Sequence, residues 1–339
     1  MEAFPLDLIV SGGVGKDGIP ALTDPVFVST TSADAGYIAD SDPVMGLVIG
    51  GEAKAYPHNI GWWHEIVNDV VGGHPVVVSL CPLTGTGMVF DGVDGERRIT
   101  MGVSGWLFNN NLIMYDRRDD ETLFPQITHR AVFGPGKGED LDLLPVVETT
   151  WGFWKRLHPN TAVVSGQGHF YPIASYSGYP YNRYREPNSE PMFPISPGLD
   201  VNPLARLYNH KELTMGLRSS DAVKAYPFEE MDKEAVINDR LGIDEIVVVF
   251  HRDTQMAIPY HRRIIHDGNS ITLTFDWAAS GDSVFPFAMV DRQTRSVWNL
   301  MGEATEGELS GHKLRQFPSH NAFWFAWATF WQNTTVHSG

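Results

Sequence analysis

The single cysteine of this 339-residue chain, Cys81, has neighbours of the types that bind soft metals or activate a thiol. It follows the apolar run Val76-Val77-Val78-Ser79-Leu80 and precedes Pro82 and Thr84-Gly85-Thr86-Gly87. The run predicts a β-strand, Pro82 its end, and the Thr-Gly segment a tight turn with free backbone N–H groups. His64 lies upstream in a stretch of helical periodicity. Consecutive elements tend to be neighbours, so His64 and Cys81 are expected to face each other. Three readings stay open. In the first, Cys81 is a buried small hydrophobe and His64 a satisfied core imidazole. In the second, they bind a metal with His251 or Met88. Thiolate with imidazole suits copper, the more so if a methionine joins, with zinc as the alternative. In the third, Cys81 is a nucleophile activated by His64, and the Thr-Gly turn is its oxyanion hole. Glu65 is then a candidate general base.

Some resemblances to known motifs fail. Gly12-Gly13-Val14-Gly15-Lys16-Asp17 lacks the upstream Gly and the Ser or Thr after Lys that a phosphate loop needs. His64-Glu65-Ile66-Val67-Asn68 has Asn68 where a zinc-protease helix needs its second His. No Gly-x-Gly-x-x-Gly opens a helix after a strand, so no Rossmann site is indicated.

The elements that position these residues are announced by repetition. Lys54-Ala55-Tyr56-Pro57 recurs as Lys224-Ala225-Tyr226-Pro227, and Asn68-Asp69 as Asn238-Asp239, 170 residues on. Met114-x-Asp116-Arg117 matches Met289-x-Asp291-Arg292. Gly134, Gly138, Leu141 and Pro145 match Gly307, Gly311, Leu314 and Pro318. Trp151, Trp154 and Asn160-Thr161 match Trp324, Trp327 and Asn333-Thr334. The offset stays between 170 and 175. At these positions His64 is answered by Glu234, Cys81 by His251 and Glu65 by Ala235.

Each half reads alike. A strand pair turns at Gly50-Gly51, and Pro57 opens a helix over 58–69 with Ile60, Trp63, Ile66 and Val67 on one face. Then come strands, and a Trp-rich helix at 150–157 or 322–330. The fold expected is α+β: two tandem diverged copies of a mostly antiparallel β domain with about two helices each, in a pseudo-twofold arrangement. The expected divisions are 1–170 for the first repeat, 171–203 for a connecting segment and 204–339 for the second repeat. The connecting segment is long and is expected to pack on both. Asn68-Asp69 and Asp116-Arg117 recur in both halves, so helix capping and a buried ion pair are expected of them. His261, His266 and Arg262-Arg263 read as a solvated basic patch that could meet a carboxylate.

The motifs GGVGKDGIPAL, AKAYP, HEIVND, CPLTGTG, GVSGWLFNNNLIMYDR and WFAWATF together resemble the domain of unknown function 3179 family. The resemblance covers nearly the whole chain and implies no particular reaction.

Composition limits the partners. A net charge of −16 repels phosphate backbones and anionic lipid, so nucleic-acid binding and membrane docking are not expected. No apolar run is long enough to span a bilayer. The start lacks a basic segment ahead of a signal-length apolar run, so a cytoplasmic protein is expected if that start is native. The expected function is metal binding, with copper at a His64/Cys81/His251 site and oxidoreductase chemistry on a small molecule. The alternatives are a metal-free cysteine-nucleophile enzyme and a non-enzymatic small-ligand binding module.

Overall fold

The computed structural model describes residues 5–339. In the first half a short strand, Phe27–Ser29 (β1), precedes the hairpin Pro43–Ile49 (β2) and Glu52–Pro57 (β3). Gly50 and Gly51 turn it at φ 56° and 82°, the left-handed geometry that glycine adopts without strain. The helix His58–His64 (α1) starts after Pro57. A meander follows: Ile66–Val71 (β4), His74–Cys81 (β5) and Thr86–Asp91 (β6). Met101–Phe108 (β7) and Asn111–Asp116 (β8) make a hairpin. Val147–Thr150 (β9), the helix Trp151–Leu157 (α2) and Ala162–Val164 (β10) complete the half. The sheet order is β9-β2-β3-β10-β1, with β10 parallel to β3.

In the second half the corresponding elements are Leu213–Arg218 (β11), Val223–Pro227 (β12), Glu234–Leu241 (β13), Asp244–His251 (β14) and Met256–His261 (β15). Phe275–Ala279 (β16), Phe287–Asp291 (β17), Ser319–Phe323 (β18), the helix Trp324–Phe330 (α3) and Thr335–Val336 (β19) follow. The sheet order is β18-β11-β12-β19, with β19 parallel to β12. The protein is thus mostly β-sheet with few helices.

The recurring residues make the same contacts in each half. Asp69 accepts from Lys54 Nζ at 2.9 Å and Tyr56 Oη at 2.7 Å; Asp239 accepts from Lys224 Nζ and Tyr226 Oη, both at 2.7 Å. The Asn68 side chain pairs with both backbone groups of Met101, as Asn238 does with those of Phe275. Trp154 Nε1 donates to Thr161 Oγ1 and Trp327 Nε1 to Thr334 Oγ1, each at 3.0 Å. These residues repeat because they lock one local architecture.

Four expectations need correction. The helix predicted over 58–69 stops at His64, because Glu65 takes φ +57° and turns the chain into β4. Ile66 and Val67, which continue the helical spacing, are β-branched and pair along β5 instead. Asn68-Asp69 therefore bonds across the sheet and caps no helix. Asp116 pairs with Arg118 rather than Arg117, which reaches Asp17. The basic patch is neutralised: Arg262 pairs with Glu245 and His266 with Glu308.

One apolar core joins the halves, running from Tyr56, Trp151 and Trp154 to Ile258, Phe275 and Trp298. Across the contact Phe323 N donates to Thr84 O at 2.7 Å, and Thr149 Oγ1 donates to Thr254 O at 2.8 Å. Asn321 Nδ2 donates to Glu148 Oε1 at 2.9 Å. The 171–203 segment packs on both halves. Tyr179 and Tyr184 donate to the carbonyls of Pro82 and Leu83, while Asn202 donates to Ala328 O.

Gly46 lies against the Trp154 ring so closely that any Cβ would overlap it. Gly46→Ala should therefore cost about 1–3 kcal/mol through overpacking. The denaturant midpoint measures this; an unchanged midpoint would mean that Trp154 shifts without penalty.

Candidate functional site

Cys81 ends β5 and is fully buried. Its Sγ donates to Asn110 O at 3.4 Å. Burial, and then the nearby Glu65 carboxyl, push the thiol up to about 11, against weaker opposing hydrogen bonds from Thr84 and Leu112. At neutral pH it is a thiol. The turn after it rests on a buried polar network. Thr84 and Thr86 hydroxyls lie 2.8 Å apart, Thr86 donates to Gln126 Oε1 at 2.7 Å, and Asn111 donates to the same oxygen at 2.8 Å. Asn109 and Asn110, at φ 50° and 65°, turn the β7–β8 hairpin and bond Ser196 and Phe193 of the connecting segment. The three consecutive asparagines thus fix the loop over Cys81.

His64 is also buried, but it faces a different set of groups. Its Nδ1 donates to Pro20 O at 2.7 Å, which leaves Nε2 as the acceptor from Tyr176 Oη, again at 2.7 Å. Burial holds the imidazole down to about 4, so it is neutral. Both ring nitrogens are occupied, and His64 shares no hydrogen-bond partner with Cys81. His251 ends β14 at the place Cys81 holds on β5, and its Nδ1 lies 2.9 Å from Thr254 Oγ1. It borders a separate open cleft with Lys155 and Asp253; Gln255 reaches both that cleft and the Cys81 cavity. Met88 is buried on β6. Among the described residues no group of three or more His, Cys, Asp or Glu side chains could hold a metal ion. The Glu65 carboxyl is buried near Cys81 with no hydrogen bond among the described residues, and desolvation raises it to about 8.

A cavity of about 40 Å³ adjoins Cys81, with His58, Trp62, Glu148 and Arg185 in its wall. Two of its polar atoms lack partners among the described residues. His58 Nε2 and Glu148 Oε2 are buried without a hydrogen bond. His58 Nε2 lies 3.7 Å from Glu148 Oε1, beyond hydrogen-bond reach. Burial drives His58 down to about 3 and Glu148 up to about 7, so the pair is close to neutral. Arg185 comes from the connecting segment and is exposed to solvent. Its guanidinium lies 5.1 Å from the Trp62 ring centroid and 5.2 Å from that of Tyr179. It has no carboxylate within ion-pair distance among the described residues, in a chain with 41 acidic side chains.

The family model described as Protein of unknown function (DUF3179) matches residues 16–334, nearly the whole chain. The chain belongs to the DUF3179 family. No curated protein and no solved structure matches it. No helix among the described residues is long and apolar enough to cross a membrane.

In this DUF3179 protein Cys81, singled out in the sequence, lines the cavity, whereas Glu65, His64 and His251 do not, and His58, Glu148 and Arg185 were not singled out. A signal for two of them was present. At the offsets of the recurring residues His58 is answered by Phe228 and Glu148 by Asn321, the same contrast that singled out Cys81 against His251. Arg185 has no counterpart, since it lies in the segment that occurs once.

Proposed function

We propose that this DUF3179 protein is a binding protein for a small anion, whose charged end enters the cavity between His58, Cys81, Glu148 and Arg185. One observation carries the reading: among the described residues, an exposed arginine with no carboxylate within ion-pair distance and two buried polar atoms without hydrogen bonds line one cavity. Arg185 supplies charge-assisted donors. His58 Nε2–H and a protonated Glu148 add neutral ones. The cavity volume suits a carboxylate-sized group or a few waters. Formate, acetate and methanesulfonate should each stabilise the protein against thermal unfolding in a saturable way. Arg185→Gln and His58→Phe should abolish the effect; equal stabilisation of wild type and variants would remove the reading.

Cys81 is then a wall of the site rather than its nucleophile. A thiol held near 11 is expected to react with iodoacetamide at pH 7.5 at least ~100-fold more slowly than in the unfolded chain. Mass spectrometry of timed samples measures this, and labelling within minutes would favour thiol catalysis. A copper or zinc ion shared by Cys81, His64 and His251 would require His64 to release Tyr176. Elemental analysis tests it: stoichiometric metal that Cys81→Ser removes would establish that site.

We also infer that 1–170 and 204–339 are diverged tandem copies related by a pseudo-twofold axis, joined by 171–203. The matching sheet orders and paired contacts support this, as does the meeting of Glu148 with Asn321, which stand 173 residues apart like the matched prolines Pro145 and Pro318. In an isologous interface a position on the axis meets its own counterpart. An experimental structure in which 44–165 fails to superpose on 214–339 would remove the inference.

A further inference from the structure

A second cleft, of about 340 Å³, lies between the halves on the side of β11 and β18, and Met88, Ile127 and Leu143 of the first half form its apolar wall. Its polar groups are arranged differently from those around Cys81. His129 Nδ1 donates to Leu141 O at 2.9 Å, and its Nε2 lies 2.7 Å from Arg218 Nη2. Arginine only donates, so His129 Nε2 accepts and the ring is neutral with its proton on Nδ1. Burial, reinforced by the Arg218 charge, holds His129 down to about 4. It therefore serves as a fixed acceptor that aims the guanidinium.

Arg218 lies 4.7 Å from the Trp331 ring centroid and has no carboxylate within ion-pair distance among the described residues. Asp140, which acts on it only through its field, is paired with Arg130 at 2.5 Å. Two more polar atoms face the same cleft without a partner. His320 is 7% exposed, and both its Nε2 and the Trp331 Nε1 are buried without a hydrogen bond. The cleft therefore holds a guanidinium, an indole N–H and an imidazole nitrogen, none of them paired with an acidic group among the described residues.

The fold does not require these groups there. A cleft of about 630 Å³ on the other side is framed by the same strand register. Gly46 faces Val147 there, where Gly216 faces His320 here. Leu47 pairs with Lys54 as Leu217 pairs with Lys224, so Val48 takes the place of Arg218. At these two positions one side carries valines and the other arginine and histidine, although the larger cleft has Arg156, His158, Glu303 and Lys313 elsewhere in its wall.

We propose that the Arg218 cleft binds a small monocarboxylic acid with an apolar body. The carboxylate is held by Arg218 and the Trp331 indole N–H, with His320 as a third donor through Nε2–H. The hydrocarbon part lies against Met88, Ile127 and Leu143. The size suits a single ring or a short branched chain. None of these residues borders the Cys81 cavity, so this site stands or falls separately from that one.

Titration calorimetry with benzoate and with isovalerate tests it, benzamide serving as the uncharged control. At least one acid should bind at a single saturable site, with benzamide at least tenfold weaker. Arg218→Gln should weaken that acid at least tenfold, whereas Arg185→Gln should leave it unchanged. Trp331→Phe keeps the ring beside Arg218 but removes the N–H, and should weaken binding several-fold even if Arg218→Gln does not fold. The proposal is overturned if neither acid saturates, if benzamide binds equally well, or if a folded Arg218→Gln or Trp331→Phe binds as wild type does. A loss of acid binding in Arg185→Gln with none in Arg218→Gln would also overturn it, and would assign the acid to the Cys81 cavity.

Discussion

Asp69→Ala should lower the unfolding free energy by about 3–5 kcal/mol, the range found when one partner of a buried ion pair is removed. The Lys54 and Asp69 side chains are only 10% and 6% exposed. Asp69 accepts from both Lys54 and Tyr56, and Lys54 is further held by Val70 O at 2.7 Å. Alanine would leave the buried ammonium with only the more distant, half-exposed Glu52 carboxylate at 3.8 Å and the Tyr56 hydroxyl without an acceptor. The matching pair in the second half offers an internal control. Lys224 and Asp239 are 18% and 19% exposed, so water can compensate in part, and Asp239→Ala should cost less, about 1–2 kcal/mol. Denaturant unfolding of both variants checks the order. An equal or smaller loss for Asp69→Ala would mean that the first pair is more solvated than its burial indicates. Replacing both partners together, as Lys54→Met with Asp69→Leu, should recover much of the loss.

Glu65→Gln should make the protein more stable than wild type by an amount that grows with pH. Desolvation raises the folded-state carboxyl from its ordinary 4.5 to about 8. Between these values the folded protein holds a proton that the unfolded chain has released. Unfolding therefore becomes easier as pH rises, by about 1.4 kcal/mol per pH unit for this one group. Glutamine has the shape of the protonated acid and no charge to desolvate. The two proteins should be equally stable near pH 4, and the variant should lead by a few kcal/mol at pH 8, with no further gain above that. Taking the difference between them removes the other titrating groups. Glu148 adds a slope of the same sign up to about 7. Lys211, held down to about 7 by burial, adds the opposite slope above it. A constant difference across this range would show that the Glu65 carboxyl is ionised throughout.

The sequence made the architecture legible where local rules and tertiary demands coincide. The Gly50-Gly51 hairpin and the β5 strand were readable because glycine turns and β-branched runs state their own conformation. So was the recurrence of Lys54, Tyr56 and Asp69, whose hydrogen bonds explain why those positions repeat. The end of α1 was not readable. Ile66 and Val67 continue the helical spacing, and only the left-handed Glu65 diverts the chain, on a side chain that gives no warning of φ +57°. The site was half legible for a related reason. Cys81 stands out beside its glycine turn, whereas Arg185 reaches the cavity from a segment without regular periodicity. His64 had the right residue type and neighbourhood, but a residue type does not reveal that Pro20 and Tyr176 occupy both of its nitrogens.

Under the tandem-copy reading proposed above, the bond between Asn321 and Glu148 bears on how the two sides came to differ. In an assembly of two identical chains, a residue meeting its own copy has to suit itself. Two glutamates there would set like charges together in a buried place, and two asparagines would leave His58 facing an amide. Covalent joining lifts that restriction, because each side of the contact can mutate without changing the other. An acid can then face an amide, a thiol can occupy the strand end that carries an imidazole in the other half, and an arginine can enter one cleft while a valine stays in its twin. The asymmetry of the polar groups is thus what a single continuous chain permits and a symmetric pair forbids.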